Sequence, residues 1–245
     1  LTNAAPRSDL TPYRAAVWRF VEDQNISSTM KLADGLDEQR ILEELLDASK
    51  PPVPAPCQHL HYLQFTPFRY AARYDTRFRP RGERRGVFYA AESVQTAATE
   101  VAFYRALFFI ESPETKAHDA PFEMTAFRTL IRTEASVDIT KFGAEARKVY
   151  ADPVDYAACH KLAEAARKAG AEVIRFPSVR DHAGVNVAVL DCAAFADATP
   201  RDMQGWWFRF TEHGLFATQR FGKGRLEFPY EMFANDPRIS GGSLS

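Results

Sequence analysis

Six residues near the start of the chain, Pro51-Pro52-Val53-Pro54-Ala55-Pro56, constrain its folding more than any others. Proline fixes φ, removes the backbone donor and clashes with a preceding helical turn, so this run enters neither a helix nor a sheet interior. It reads as an extended connector. It divides the chain into an N-terminal extension, residues 1–57, and a larger mixed unit, residues 58–245. Before the connector two helices are predicted. Thr11-Pro12 reads as an N-cap followed by proline at the first helical position, with Ala15, Trp18, Phe20 and Val21 on an apolar face. Asp37 to Ser49 carries Ile41, Leu42, Leu45 and Leu46 on one stripe, and Glu43, Glu44 and Asp47 near the other side.

After the connector the periodicity alternates between 2 and 3.6. Leu60 to Tyr70 and Arg85 to Ala91 read as strands, and Ser93 to Phe109 as a helix capped by Ser93. Phe122 to Ile131 and Ser136 to Ile139 read as two further strands. Asp152-Pro153 opens a helix that Gly170 closes, with Lys161, Arg167 and Lys168 in the half where cations suit the dipole. Glu172 to Phe176 and Val185 to Leu190 read as strands. The aromatic run Trp206, Trp207, Phe208, Phe210 turns at Glu212-His213-Gly214 into Leu215 to Phe221, a hairpin. Strands mixed with few helices, in no repeating βαβ order, predict an α+β fold.

The 245 residues are 46% hydrophobic, enough for one ordinary core. Formal net charge is −1, so no global excess of cations advertises nucleic acid or a membrane surface. The longest apolar stretch, Ala102 to Ile110, contains Arg105 and is too short to span a bilayer. Arg7, Asp9 and Pro12 lack the basic-then-apolar order of a signal peptide, which predicts a cytoplasmic protein. Cys57, Cys159 and Cys192, odd in number and widely separated, are expected to be reduced thiols. Cys57, His59 and His61 alternate and would share one face of a strand, a weak metal reading with no second cluster downstream.

Three groups of residues carry chemistry. Tyr89 ends a predicted strand, and Glu100 lies eleven positions on, in a helix among Ala97, Ala98, Val101 and Ala102. A carboxylate on such a small, apolar face is either a harmless surface charge or one held in a cleft. Arg69, Arg77, Arg79, Arg81, Arg84 and Arg85 crowd one stretch. The planar guanidinium fork suits the two phosphates of a dinucleotide, and Arg69 and Arg77, flanked by aromatics, are the better candidates. Arg81, Arg84 and Arg85 read as a solvated loop. Ser178, after Pro177, precedes Gly184-Val185-Asn186 where a strand leaves the sheet; no Gly-x-Ser-x-Gly elbow is present. His160 reads as a surface residue, His182 lies near Ser178 within reach of a phosphate there, and the Trp206/Trp207 pair reads as hairpin core.

An Arg before an aromatic, a glycine-containing turn, a strand ending in Tyr-Ala, a Glu eleven positions later and a distant Pro-Ser before a Gly/Asn strand together resemble the RES family. That family is named for its Arg, Glu and Ser, and its members are toxins paired with Xre-like antitoxins. The match runs from about Leu60 to Phe195. The resemblance implies a compact ADP-ribosyltransferase-like mixed sheet and NAD as substrate. By position, Arg77 matches the family's Arg, Tyr89 its strand Tyr, Glu100 its helix Glu, Ser178 its Ser, and Arg69 an earlier strand Arg. Arg77-Phe78-Arg79 stands where Arg-Trp-Asn is usual, which makes Arg79 a rival to Arg77, and the turn before Tyr89 is longer.

On that resemblance Arg69, Arg77 and Arg79 would hold the pyrophosphate, Tyr89 would pack on nicotinamide or its ribose, Glu100 would act on the ribose, and Ser178 and Asn186 would position polar groups of NAD. Catalysis would rest on Glu100, Arg77, Tyr89 and Ser178. The expected partners are NAD, an Xre-like antitoxin and a target protein accepting ADP-ribose. Loss of NAD to phosphate or water, or a non-catalytic binding module with a degenerate site, are the competing readings.

Overall fold

The computed structural model describes residues 10–23, 32–112, 114 and 120–240, so Arg7 and Asp9 lie outside the described residues. In chain order the elements are β1 (Thr11–Glu22), α1 (Leu36–Ser49), α2 (Tyr62–Arg69), β2 (Phe88–Ala91), α3 (Val94–Glu111), β3 (Phe122–Asp138) and α4 (Ala144–Tyr150). They continue with α5 (Ala157–Lys168), β4 (Val173–Pro177), β5 (Val185–Val189), β6 (Arg201–Thr211), β7 (Gly214–Gln219), β8 (Arg225–Pro229) and α6 (Pro237–Ser240). The fold is a mixed α+β architecture, as the alternation of periods predicts.

The first segment corrects the sequence reading. Thr11–Glu22 is a strand, not a helix, and pairs antiparallel with β3 from Thr11↔Ser136 to Glu22↔Met124. Its residues satisfy both periods. Ala15, Trp18 and Val21 recur at helical spacing, while Tyr13, Ala15, Val17 and Val21 also alternate onto one core cluster and Trp18 and Phe20 onto another. Burial on both faces decides for the strand. Pro12, which would open a helix, instead sits at the register shift between Thr11 and Tyr13, where no ladder donor is needed. The extension before residue 57 therefore supplies a strand to the main sheet, and α1 is its one described helix.

Leu60 to Tyr70 is likewise not a strand. His61 caps α2, its Nδ1 accepting from Leu63 N (3.3 Å), while Gln64 Oε1 accepts from His61 N (3.3 Å). Leu63, Gln64 and Phe68 turn inward at helical spacing, and buried Gln64 ties the helix to Thr129 Oγ1 (2.8 Å) and Asp197 O (2.9 Å). Phe122 to Asp138 is one continuous strand rather than two. Asp152 makes a turn, accepting from Val154 N and Asp155 N, and α5 begins only at Ala157. Gly170 closes α5 as expected, at φ 84°, with Ala171 N donating back to Ala166 O (2.9 Å).

The eight described strands are ordered β1-β2-β5-β4-β3-β6-β7-β8, with β1 also paired to β3. β2, β5 and β4 run antiparallel to one another, and β4 joins β3 in parallel at Ser136–Asp138. The ladder thus returns to β3 and then to β1, and five strands close on themselves. β6, β7 and β8 extend the sheet from the first half of β3 as successive hairpins, the predicted aromatic hairpin among them. Trp206 is buried there, whereas Trp207 is exposed. The weakest link in the ring is β1 against β2, paired at one position, Trp18↔Ala91. Beside that pair the two strands fork.

The core has three parts: α3 against β1, β3 and the hairpins; α2 against the inner strands; α5 against β4 and β5. Cys57 and Cys192 are buried in the second and form a disulfide with a Cα–Cα distance of 5.4 Å, which corrects the expectation of three reduced thiols. Their separation of 135 residues hides the pairing from the sequence. Cys159 is free and buried. The disulfide and the α2 cap occupy Cys57 and His61, and among the described residues no group of three or more His, Cys, Asp or Glu is placed to hold a metal. No helix among the described residues is long and apolar enough to cross a membrane.

Candidate active site

The fork between β1 and β2 opens into a cavity of about 520 Å³, within the range that takes small ligands. α3 forms one wall. Ser93 caps it, accepting from Thr96 N (3.0 Å), and alanines 97, 98, 102 and 106 let it approach the sheet closely. Two helical turns beyond the cap, Glu100 lines the cavity, half-buried.

The Glu100 carboxylate is fixed at one oxygen. Oε1 accepts from Ser178 Oγ (2.8 Å) and from Asn186 Nδ2 (2.6 Å), while Oε2 has no hydrogen-bond partner among the described residues. Ser178 Oγ in turn accepts from Arg180 N (3.1 Å) and Asp181 N (3.0 Å), which aims its proton at Glu100. Gly184 holds this loop against α3. A Cβ there would meet Thr96 Cγ2 at 2.5 Å and Asp181 Oδ2 at 2.6 Å, where Thr96 Oγ1 donates to Asp181 Oδ2 (2.7 Å). Asn186 is placed by β5, paired to Ala91 on one side and Phe176 on the other.

Arg77 lines the same cavity, its guanidinium 5.1 Å from the Tyr156 ring and donating to Tyr150 O (2.6 Å). Tyr89 is its neighbour in the wall. The phenol bonds Thr76 Oγ1 (3.0 Å) and accepts from Phe78 N (2.9 Å), and burial pushes its pKa up to about 12, so it stays protonated. His160 Nε2 lies 2.8 Å from Thr76 O, so this histidine braces the wall rather than sitting free on the surface. His182 is exposed.

The structure thus brings Arg77, Tyr89, Glu100 and Asn186 to one cavity, with Ser178 buried behind Glu100, and separates two arginines from it. Arg69 Nε donates to Pro51 O, and its Nη1 lies 3.6 Å from Asp47, so it anchors the proline connector. Arg79 donates to the carbonyls of Pro67 (3.5 Å), Glu83 (3.1 Å) and Tyr70, holding the arginine-rich loop, and lies on the far side of Tyr89.

Two arginines missed by the sequence reading complete the wall. Arg19 of β1 reaches across the fork to donate from Nη1 to Tyr89 O (2.6 Å) and lies over Phe88 at 5.0 Å, but its buried Nε has no partner. Desolvation pulls it down to about 10, still a cation at neutral pH. A buried cation with an unmet donor is poised for an anion. Its signal was present: like Arg77 it stands beside an aromatic, in Trp18-Arg19-Phe20, and assigning that segment to a helix concealed it. Arg180, buried and 3.9 Å over Phe103, pairs with Asp236 (2.9 Å) and also leaves Nε without a partner. Arg105 joins the lining at the outer end, where it pairs with Glu22 (2.6 Å). The lining of the cleft therefore holds four guanidiniums, two of them paired with carboxylates outside it, and one clamped carboxylate.

The chain belongs to the RES domain family, whose model matches residues 53–211. A chain in the crystal structure of the M. tuberculosis MbcT–MbcA toxin–antitoxin complex is similar at 13% identity and a TM-score of 0.46, covering 79% of this chain and 85% of that one. No curated protein matches.

Proposed function

We propose that the protein is a toxin that binds NAD in this cleft and breaks the bond between nicotinamide and ribose. The observation that carries the proposal is Glu100, clamped at Oε1 by Ser178 and Asn186 and open at Oε2, in a largely apolar cavity whose other charged lining residues are arginines. Arg19, Arg77 and Arg180 would neutralise the pyrophosphate, and Trp18, Tyr104 and Phe176 would cover the rings.

In the reaction the bond from ribose C1′ to the pyridinium nitrogen breaks. Its electron pair leaves with nicotinamide, which departs neutral, and positive charge develops on the ribose. A fixed carboxylate stabilises that charge more than it does the ground state and costs no reorganisation when the bond breaks. Ser178 and Asn186 would hold Glu100 in place. The acceptor then attacks C1′ and loses its proton.

The acceptor we infer is a side chain of a target protein. α1 supports this, since it has no buried residue and presents Ile41 and Leu45 on its surface, a face on which a protein can dock. In this reading the toxin acts on the NAD of the cytoplasm and an Xre-like antitoxin restrains it. The test follows nicotinamide release from NAD by the purified chain, with intact-mass spectrometry of host proteins after expression. Release together with an ADP-ribosyl adduct is expected. Release without an adduct would move the acceptor to phosphate or water, and absence of release would end the proposal.

A further inference from the structure

A second hollow, of about 450 Å³, lies on the other side of Tyr89 and shares Arg19, Thr76 and Tyr89 with the first. Of its lining residues the sequence reading singled out Arg79 and Tyr89. α2 and the loop from Tyr70 to Thr76 form its outer wall. Its chemistry is one-sided: Arg19, Arg73 and Arg79 line it, and no carboxylate does. Arg19 and Arg79 each keep a buried Nε with no partner. Arg79's remaining donors go to backbone carbonyls, which carry no formal charge to offset its own. Uncompensated guanidiniums with unmet donors call for an anion.

Around these cations stand tyrosines. Tyr70 and Tyr74 line the hollow, 37% and 75% exposed, so their faces are open to a ligand, and Tyr89 closes its inner end. Exposed aromatic faces beside arginines suit a flat heterocycle joined to phosphate, since stacking tolerates any base and the guanidiniums take the charge. A free inorganic anion would leave the rings unused. The partition between the hollows is braced, because Thr76 is bonded to both Tyr89 and His160, and Arg19, Thr76 and Tyr89 line both sides of it.

We propose that this second hollow is the subsite for the nucleoside monophosphate half of a dinucleotide, with Tyr70 and Tyr74 on the base, Arg73 and Arg79 on its phosphate, and Arg19 at the junction. The inference rests on the NAD reading above for the identity of the base as adenine. The other half then lies in the first cavity, with its ribose at Glu100.

Two exposed positions test this without threatening the fold, Tyr74→Ala and Arg73→Glu. AMP binding is measured by calorimetry, and nicotinamide release is compared for NAD and for nicotinamide mononucleotide, which lacks the adenylate. The wild-type chain is expected to bind AMP and each variant to weaken that binding about tenfold, the scale of one lost stacking contact. The preference in kcat/KM for NAD over the mononucleotide should fall by the same factor. Equal AMP affinity in all three proteins, or an unmoved preference, would overturn the subsite. AMP binding that weakens in the variants while wild-type protein releases no nicotinamide would keep the nucleotide site and discard the cleavage reading.

Discussion

The closed ring of five strands and the three-strand extension β6–β8 solve opposite problems with the same sheet. In the extension the inner face is a run of aromatic contacts: Phe208 lies between Phe122 and Phe228, stacked at 5.4 and 6.1 Å, and meets Phe20 edge-on at 5.6 Å. Nothing polar on that inner face asks for a ligand. At the fork of the ring and in the hollow behind Tyr89, by contrast, three arginines keep a buried donor without a partner and a carboxylate keeps one oxygen without a hydrogen bond. Unmet polar groups cost stability, and a fold keeps them where a bound molecule offsets the cost. The extension therefore carries stability and the fork carries function, and substitutions should divide along that line.

The sharpest division is between Phe208→Ala and Glu100→Gln. Phe208 is fully buried, and its truncation should cost about 3–5 kcal/mol in denaturant unfolding, with little change in kcat for the protein that remains folded. Glu100→Gln should do the reverse, lowering nicotinamide release by ~10²–10³, about 3–4 kcal/mol of barrier. Its midpoint of unfolding should stay near that of the wild type. If the two substitutions moved both quantities together, the comparison between regions would fail.

Next in size is the disulfide. Replacing Cys57 and Cys192 together by serine should lower stability by about 2–5 kcal/mol, because the bond closes a long loop across the second core cluster. The same loss should appear on reduction of the wild-type chain and be absent on reduction of the double variant. Neither cysteine lines the cleft, so nicotinamide release at low temperature should be retained.

A smaller effect is expected for Tyr89→Phe. Removing the hydroxyl leaves Phe78 N unpartnered in the wall, worth about 1–3 kcal/mol. Because that wall belongs to both hollows, KM for NAD should rise more than kcat falls, measured by steady-state kinetics. A pure kcat effect would instead put the phenol in the chemical step.

How much of this was legible in the sequence follows the same boundary. Local signals sufficed where one element decided the outcome: Ser93 as a cap, Gly170 as a helix stop, the turn at Gly214. The motif residues Arg77, Tyr89, Glu100, Ser178 and Asn186 were gathered through the resemblance to the RES family, since each piece is weak alone and only their order along the chain is specific. Thr11–Glu22 could not be read correctly, since its residues fit both periods and only pairing with β3, more than a hundred residues away, settles which is used. Arg19 was lost with it. Arg69 and Arg79 went astray for a related reason, as only the folded loop reveals which carbonyls a long guanidinium will reach. The cysteine pair, joined across 135 residues, left no local trace.

The central claim is that a dinucleotide lies across the fork with its nicotinamide ribose at Glu100. A crystal structure of the Glu100→Gln variant, which should bind NAD without consuming it, tests this most directly. The account predicts the nicotinamide riboside in the cavity beside residue 100, the pyrophosphate against Arg19, and the adenylate among Tyr70 and Tyr74. NAD bound in the reverse direction, or away from both hollows, would contradict it.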